Sequence, residues 1–256
     1  MKMDWDKRAE AFRSFVRTRY FYGQLLDVED FESEQRYFND KRWLLNRLIG
    51  GYGVVCGLNV RPTRDGKAVQ VLPGVAIDRA GREIVVPRPA TSEEVPKAEP
   101  RDQAETDYDE KCDPKNWVHL SICYHECLSG PERVAISECE AHSDCENGEI
   151  RERYEIVVEN GKVEKPDLEC SVRDALVGGR LHYDELVRRV SECCPSFEGD
   201  VCIPLANIRK REGEGPITDK SIDITVRPIV YTNDLLFELI YSLTSDRNSR
   251  HRNGKA

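Results

Sequence analysis

Residues 21–58 read FYGQLLDVEDFESEQRYFNDKRWLLNRLIGGYGVVCGL, and the fold class turns on how this stretch divides. Asp27 has the chemistry of a helix N-cap, and Glu29 and Asp30 place negative charge where the helix dipole favours it. From there Phe31, Phe38, Leu45 and Leu48 recur at helical spacing, with Tyr37 and Leu44 beside them. Glu32, Arg36, Lys41 and Arg42 are read as the helix's polar residues. Gly50-Gly51 stops the helix. Val54, Cys56, Leu58 and Val60 then alternate against Val55, Gly57 and Asn59, which is strand periodicity. A long helix hands over through a glycine break to β-structure. That order excludes a dinucleotide-binding loop, which needs strand, then glycines, then helix. Gly53 and Gly57 instead suit close backbone approach.

Working outward, residues 4–17 predict a short helix carrying Trp5, Ala9, Phe12 and Val16, broken at residues 19–23. Downstream, Thr63-Arg64-Asp65-Gly66 predicts a turn, and PGVAIDRAGREIVVP (73–87) predicts a hairpin with Asp78–Gly81 at its tip. A solvated turn accounts for Asp78 and Glu83 there. Residues 88–114, rich in Pro, Asp and Glu, predict a linker or loop. Strands are expected at 116–126, 154–158, 201–210 and 221–230, and helices at about 171–177, 182–192 and 233–243. The predicted fold is α+β, a mostly antiparallel β-sheet core with an N-terminal helical arm and a C-terminal helix. The expected units are the arm (1–50), a β-hairpin region (51–87), the acidic linker (88–114), a β-rich core with cysteine-rich loops and the C-terminal helix (115–246), and a basic disordered tail (247–256).

Composition limits the function classes. The chain has 256 residues and a formal net charge of -9, which argues against bulk nucleic-acid binding. Positive charge gathers only in the tail, at Arg247, Arg250, Arg252 and Lys255. No apolar run reaches the roughly 18 residues of a membrane span. MKMDWDKRAEAF lacks an apolar signal core, so cytoplasmic synthesis is expected. No G-x-S-x-G, phosphate-binding glycine loop or H-E-x-x-H is present.

Ten cysteines are many for a chain without a secretory signal. In a reducing compartment disulfides are disfavoured and a metal is the natural alternative. The most ligand-like stretch holds Cys127, Cys139, His142 and Cys145, read as a loop between two strands. A second group, Cys193, Cys194 and Cys202, either completes that site or forms its own. Soft and borderline ligands in an irregular loop suit a structural zinc ion. The spacing is not that of a CxxC…CxxC ribbon, so disulfides and free thiols stay open. Cys56 and Cys123, at alternating strand positions, read as buried, inert thiols.

FYGQLLDVEDFESEQRYFNDKRWLLNRLIGGYGVVCGLNV, PGVAIDRAGREIVVP and RPIVYTNDLLFELI (227–240) together resemble the signature of a family encoded among phage-tail-like contractile injection system genes, beside baseplate and sheath components. The resemblance covers residues 20–87 closely and parts of 117–241 more loosely. It implies a structural, non-catalytic subunit, associated with the baseplate or acting as an adaptor. Its partners would be other subunits of an intracellular or released particle, in a multimeric assembly. Tyr20, Phe21, Tyr22, Phe31, Tyr37, Phe38 and Trp43 are the expected interface anchors, since aromatic residues with nearby arginines dominate protein interfaces. The competing reading is a zinc-dependent hydrolase or thiol redox protein, with Glu126 or Glu138 beside Cys/His ligands. A carbohydrate- or peptide-binding module is a third.

Overall fold

The computed structural model describes residues 14–98, 114–133, 145–166, 176–177, 180–192, 201–211, 213 and 215–242. The fold is α+β. Helix α1 (Val28–Leu45) leads through a π-helical turn, Asn46–Gly50, into the strands. These are β1 (Gly53–Gly57), β2 (Val60–Pro62), β3 (Val69–Val71), β4 (Gly74–Ile77), β5 (Glu83–Val86) and β6 (Ala90–Thr91). Next come β7 (Trp117–Arg133), β8 (Cys145–Asn160), β9 (Leu176–Val177) and β10 (Arg180–Leu181). Helix α2 (Tyr183–Glu192), β11 (Ile203–Arg209) and β12 (Ile222–Asp223) complete the series. A C-terminal helix, α3, occupies residues 233–242.

Every pairing within the sheets is antiparallel. The orders are β1-β4-β5, β2-β3-β6 and β12-β11-β7-β8, with β9 and β10 pairing separately. One apolar cluster joins the three larger sheets. Leu58, Val69, Val71, Ala76, Ile84 and Val86 meet Val118, Leu120, Ile122, Ile203, Leu205 and Ile208 there. The hairpin region and the β-rich segment therefore fill a single core, because neither small sheet has enough apolar surface to close on its own.

Helix α1 starts as its sequence requires. Asp27 accepts from the Asp30 amide at 3.1 Å, and the Asp30 carboxylate accepts from the Asp27 amide at 3.4 Å, a reciprocal capping box. Its far end widens into the π-helical turn before the glycine pair. The α-helical ladder stops at Leu45, and Gly51, at φ 77°, turns the chain into β1. Gly53 then lies against the C-terminal segment, where a Cβ would sit 2.5 Å from the Pro228 carbonyl oxygen. Beside it, the Val54 amide donates to Pro228 at 2.9 Å and the Val230 amide donates to Val54 at 3.0 Å.

Two bulges break the expected alternation. In β1 the pairing passes from Val54↔Ala76 to Cys56↔Val75, leaving Val55 as the extra residue. One inserted residue moves every later side chain of the strand to the other face. Val54 stays buried and Cys56 is exposed, not the inert core thiol its spacing predicts. In β11 the extra residue is Leu205, between Pro204↔Ser121 and Ala206↔Leu120.

Other expectations are corrected. Residues 14–20 are not helical, and the remainder of the predicted 4–17 helix lies outside the described residues. The first part of the 88–114 segment is packed, not a linker. β6 pairs with β3, Val95 is fully buried, and the Ala98 amide donates to the Arg211 carbonyl at 2.9 Å. Residues 176–177 form β9, not part of a helix. The 221–230 strand is reduced to β12 and a bridge at Ile229, with a turn between them.

Candidate functional site

The cysteine-rich stretch is not a loop around Cys127. β7 and β8 run 17 and 16 residues as one antiparallel ribbon. Cys127 faces Arg151, whereas Cys145 faces Arg133, six positions further along. At the rise of a β-strand that separates the two cysteines by about 20 Å, so they cannot ligate one zinc ion. Cys202 is bonded to Cys123 in a disulfide that joins residues 79 apart, with Cα atoms 4.4 Å apart. This removes Cys202 from the ligand set and corrects the reading of Cys123 as an inert thiol. The register places the pair just beyond Ile203↔Ile122, where neighbouring strands bring the two Cβ atoms within bonding reach. Cys139, His142, Cys193 and Cys194 lie outside the described residues. Among the described residues no three His, Cys, Asp or Glu side chains gather as a metal site. The zinc expectation rests on the candidates outside the described residues, Cys139, His142, Cys193 and Cys194.

What the structure does assemble is an arm with an anchored base. The α1 end docks on the β4–β5 hairpin tip. Asp78, fully buried, accepts from the Arg82 amide at 2.9 Å and pairs with its guanidinium Nε at 2.6 Å. Asn46 Nδ2 donates to the Gly81 carbonyl at 2.9 Å and to Glu83 Oε1 at 2.8 Å. Arg42 Nε lies 3.1 Å from the same Glu83 oxygen, and its Nη2 reaches Glu152 on β8 at 3.7 Å. Gly81, at φ 92°, is pressed against the Trp43 carbonyl with no room for a Cβ. Asp78 and Glu83 are thus not a solvated turn but the socket of the helix. Arg82 also stacks over Tyr124, 4.6 Å from the ring centre, tying the socket to the ribbon.

Residues 14–20 lie along α1. Thr18 Oγ1 donates to the Asp30 carbonyl at 3.1 Å, and Tyr20 donates to Glu34. Phe15 meets Tyr37 edge-on at 6.4 Å, with Lys41 4.8 Å from the Phe15 ring. Open clefts of about 200 and 370 Å³ run along this seam.

Beyond its socket, and apart from residues 14–20, the arm is uncovered among the described residues. No residue of α1 is buried. Phe31, Phe38 and Leu45 are more than half exposed, and Tyr22 fully so. Among the described residues this stripe is not buried against the chain's own sheet. Of the anticipated anchors, Tyr20, Phe21, Tyr22, Phe31 and Phe38 present surface. Tyr37 and Trp43 are part-covered, Tyr37 by Phe15 and Trp43 at the hairpin tip. α3 adds a second apolar surface: Phe237, Ile240 and Tyr241 are exposed, with Phe237 and Tyr241 stacked 6.3 Å apart. Residue spacing alone missed the ribbon pair Leu128 and Ile150, exposed directly opposite each other. No local signal marked it, because the continuation of the strand through Leu128 comes from its pairing with β8.

No helix among the described residues is long and apolar enough to cross a membrane. No protein-family model matches the chain, and no curated protein matches it.

Proposed function

We propose that this protein is a structural subunit of a larger assembly and, from its sequence resemblance, that the assembly is a phage-tail-like contractile particle in which it serves at the baseplate or as an adaptor. The observation that carries the structural half is the uncovered arm. A helix locked at one end by Asn46, Arg42 and Gly81 projects an apolar stripe that nothing described in its own chain covers. Exposed apolar surface on this scale marks interaction sites, and an amphipathic helix with aromatic anchors suits a groove on another chain. A rigid socket lowers the entropy lost when such an arm binds.

The test is co-purification of the full chain with the other components of such a particle, then light scattering and electron microscopy of the complex. The reading expects the chain in stoichiometric, repeated positions of one large symmetric object. A Phe31→Ser/Phe38→Ser variant that stays folded should drop out of it. Failure of the wild-type chain to enter any such particle would sink the reading.

A further inference from the structure

β8 is the outer strand of its sheet, and its free side is long. The order β12-β11-β7-β8 leaves no strand beyond it among the described residues. Its pairing with β7 runs from Val118↔Asn160 to Arg133↔Cys145 with no register shift, and the strand contains no proline. Bulges and prolines are among the devices that blunt an open edge. The Gly161 amide donates to the Trp117 carbonyl at 2.9 Å, so odd-numbered residues of β8 exchange hydrogen bonds with β7. The amides and carbonyls of Ile150, Glu152, Tyr154, Ile156 and Val158 therefore point away from β7, into the open edge.

The side chains of that edge are self-complementary about one residue. Residues 150–158 read Ile-Arg-Glu-Arg-Tyr-Glu-Ile-Val-Val. A second β8, brought alongside antiparallel by a two-fold axis, pairs the central residue with its own copy. Centring on Arg151, Glu152, Arg153 or Glu155 sets like charges directly opposite, which is unfavourable. Tyr154 is the uncharged residue among them. Centred there, Arg153 faces Glu155 of the second copy, and Glu155 faces its Arg153. Both side chains are exposed, and neither takes part in an ion pair among the described residues.

The same register accounts for an exposed apolar pair. Tyr124, Tyr154, Ile156 and Val158 pack against the apolar core. Leu128 and Ile150 lie on that face further along the ribbon, yet are 66% and 61% exposed. With the axis at Tyr154, Ile150 of each copy lies opposite Val158 of the other, beside the other chain's core. We propose that β8 is a dimer edge: two copies of this chain pair antiparallel through residues 150–158, about a two-fold axis at Tyr154, and merge their sheets into one. Backbone hydrogen bonds across the edge supply affinity, and the Arg153–Glu155 pairs fix the register. The dimer does not require the particle.

The experiment is sedimentation velocity of the full chain over a wide concentration range, with hydrogen exchange on the same samples. A dimer is expected, and dilution should speed exchange of the Glu152, Tyr154 and Ile156 amides while those of β11 keep their protection. Arg153→Glu and, separately, Glu155→Arg should each weaken the dimer by about tenfold or more, since each sets like charges opposite on both sides of Tyr154. The double variant R153E/E155R restores opposite charges and should restore the dimer. Both positions are exposed, and β7–β11 amide protection equal to the wild type's checks that the variants fold. A chain that is monomeric at every concentration overturns the pairing. So does association that the single variants leave unchanged or that the double variant fails to restore. If a monomeric chain still enters the particle, only the dimer falls.

Discussion

Arg227 donates from Nε to the carbonyl of Leu205 at 3.0 Å, and Leu205 is the residue that β11 leaves out of its ladder with β7. The same guanidinium donates from Nη1 to Leu58 at 3.2 Å. Leu58 is fully buried at φ 53°, a conformation that costs a bulky residue energy. One side chain thus satisfies the carbonyls at two backbone irregularities, one in β11 and one in the β1–β2 connection, and burial lowers its pKa. Only a planar fork with donors at fixed angles spans both. Arg227→Ala should cost about 3 kcal/mol and Arg227→Lys most of that, read as a lower urea midpoint at unchanged slope.

The Cys123–Cys202 disulfide closes a loop of 79 residues. A cross-link of that span is worth about 2–5 kcal/mol. Non-reducing peptide mapping should recover the linked pair, and dithiothreitol should lower the urea midpoint of the wild type. Cys202→Ser should match the reduced wild type and show no further response attributable to this bond. A free Cys123 thiol in protein purified under oxidising conditions would contradict the pairing.

Gly81→Ala tests the socket. The substitution strains a positive-φ residue and drives a methyl group into the Trp43 carbonyl. A loss of about 2 kcal/mol or more is expected. Hydrogen exchange should rise along Asn46–Gly50 and the β4–β5 tip, while amides of β11 keep their relative protection. Uniform loss across the molecule would argue against a local socket.

Asn207 is fully buried and mimics a strand. Its Oδ1 accepts from the Val163 amide at 3.0 Å, and its Nδ2 donates to the Val163 carbonyl at 2.8 Å. Asn207→Ala leaves both groups of Val163 without that partner, at a cost of about 1–3 kcal/mol. The Val163 amide should exchange far faster in the variant, with β11–β7 pairing retained.

Tyr124 gives an alkaline signature. Burial raises its phenol above the ordinary 10.0, and its hydrogen bond to Glu126, 2.7 Å long, adds to the rise. The unfolded chain therefore loses this proton first. The stabilisation is complete below about pH 10 and falls as pH rises through the folded value, by about 1.4 kcal/mol per pH unit in between. Tyr124→Phe should flatten that decline in a stability–pH profile above pH 10.

The helix of residues 28–45 was legible because its information is local. Asp27 and Asp30 cap their own turn, and the 3.6-residue period needs no partner to be read. The strands around Val118–Ile122 and Ile203–Ile208, and the hairpin at Asp78–Gly81, were legible for the same reason. Composition and the absence of catalytic motifs directed attention to interaction surfaces. The features beyond reach depend on pairing between distant residues. A bulge at Val55 inverts Cys56, and no period in the strand announces it. The continuation of β7 past Cys127 comes from its partner, since residues rich in Glu, Ser and Gly do not suggest a strand until Cys145–Asn160 pairs with them. Cys123 and Cys202 are 79 residues apart, and only the β7–β11 register makes them neighbours. Asp78, Glu83 and Asn46 become a socket through tertiary contact alone. Local chemistry sets which elements form and how they begin; register and packing, which sum contacts across the whole chain, decide which faces are buried and which remain open to a partner.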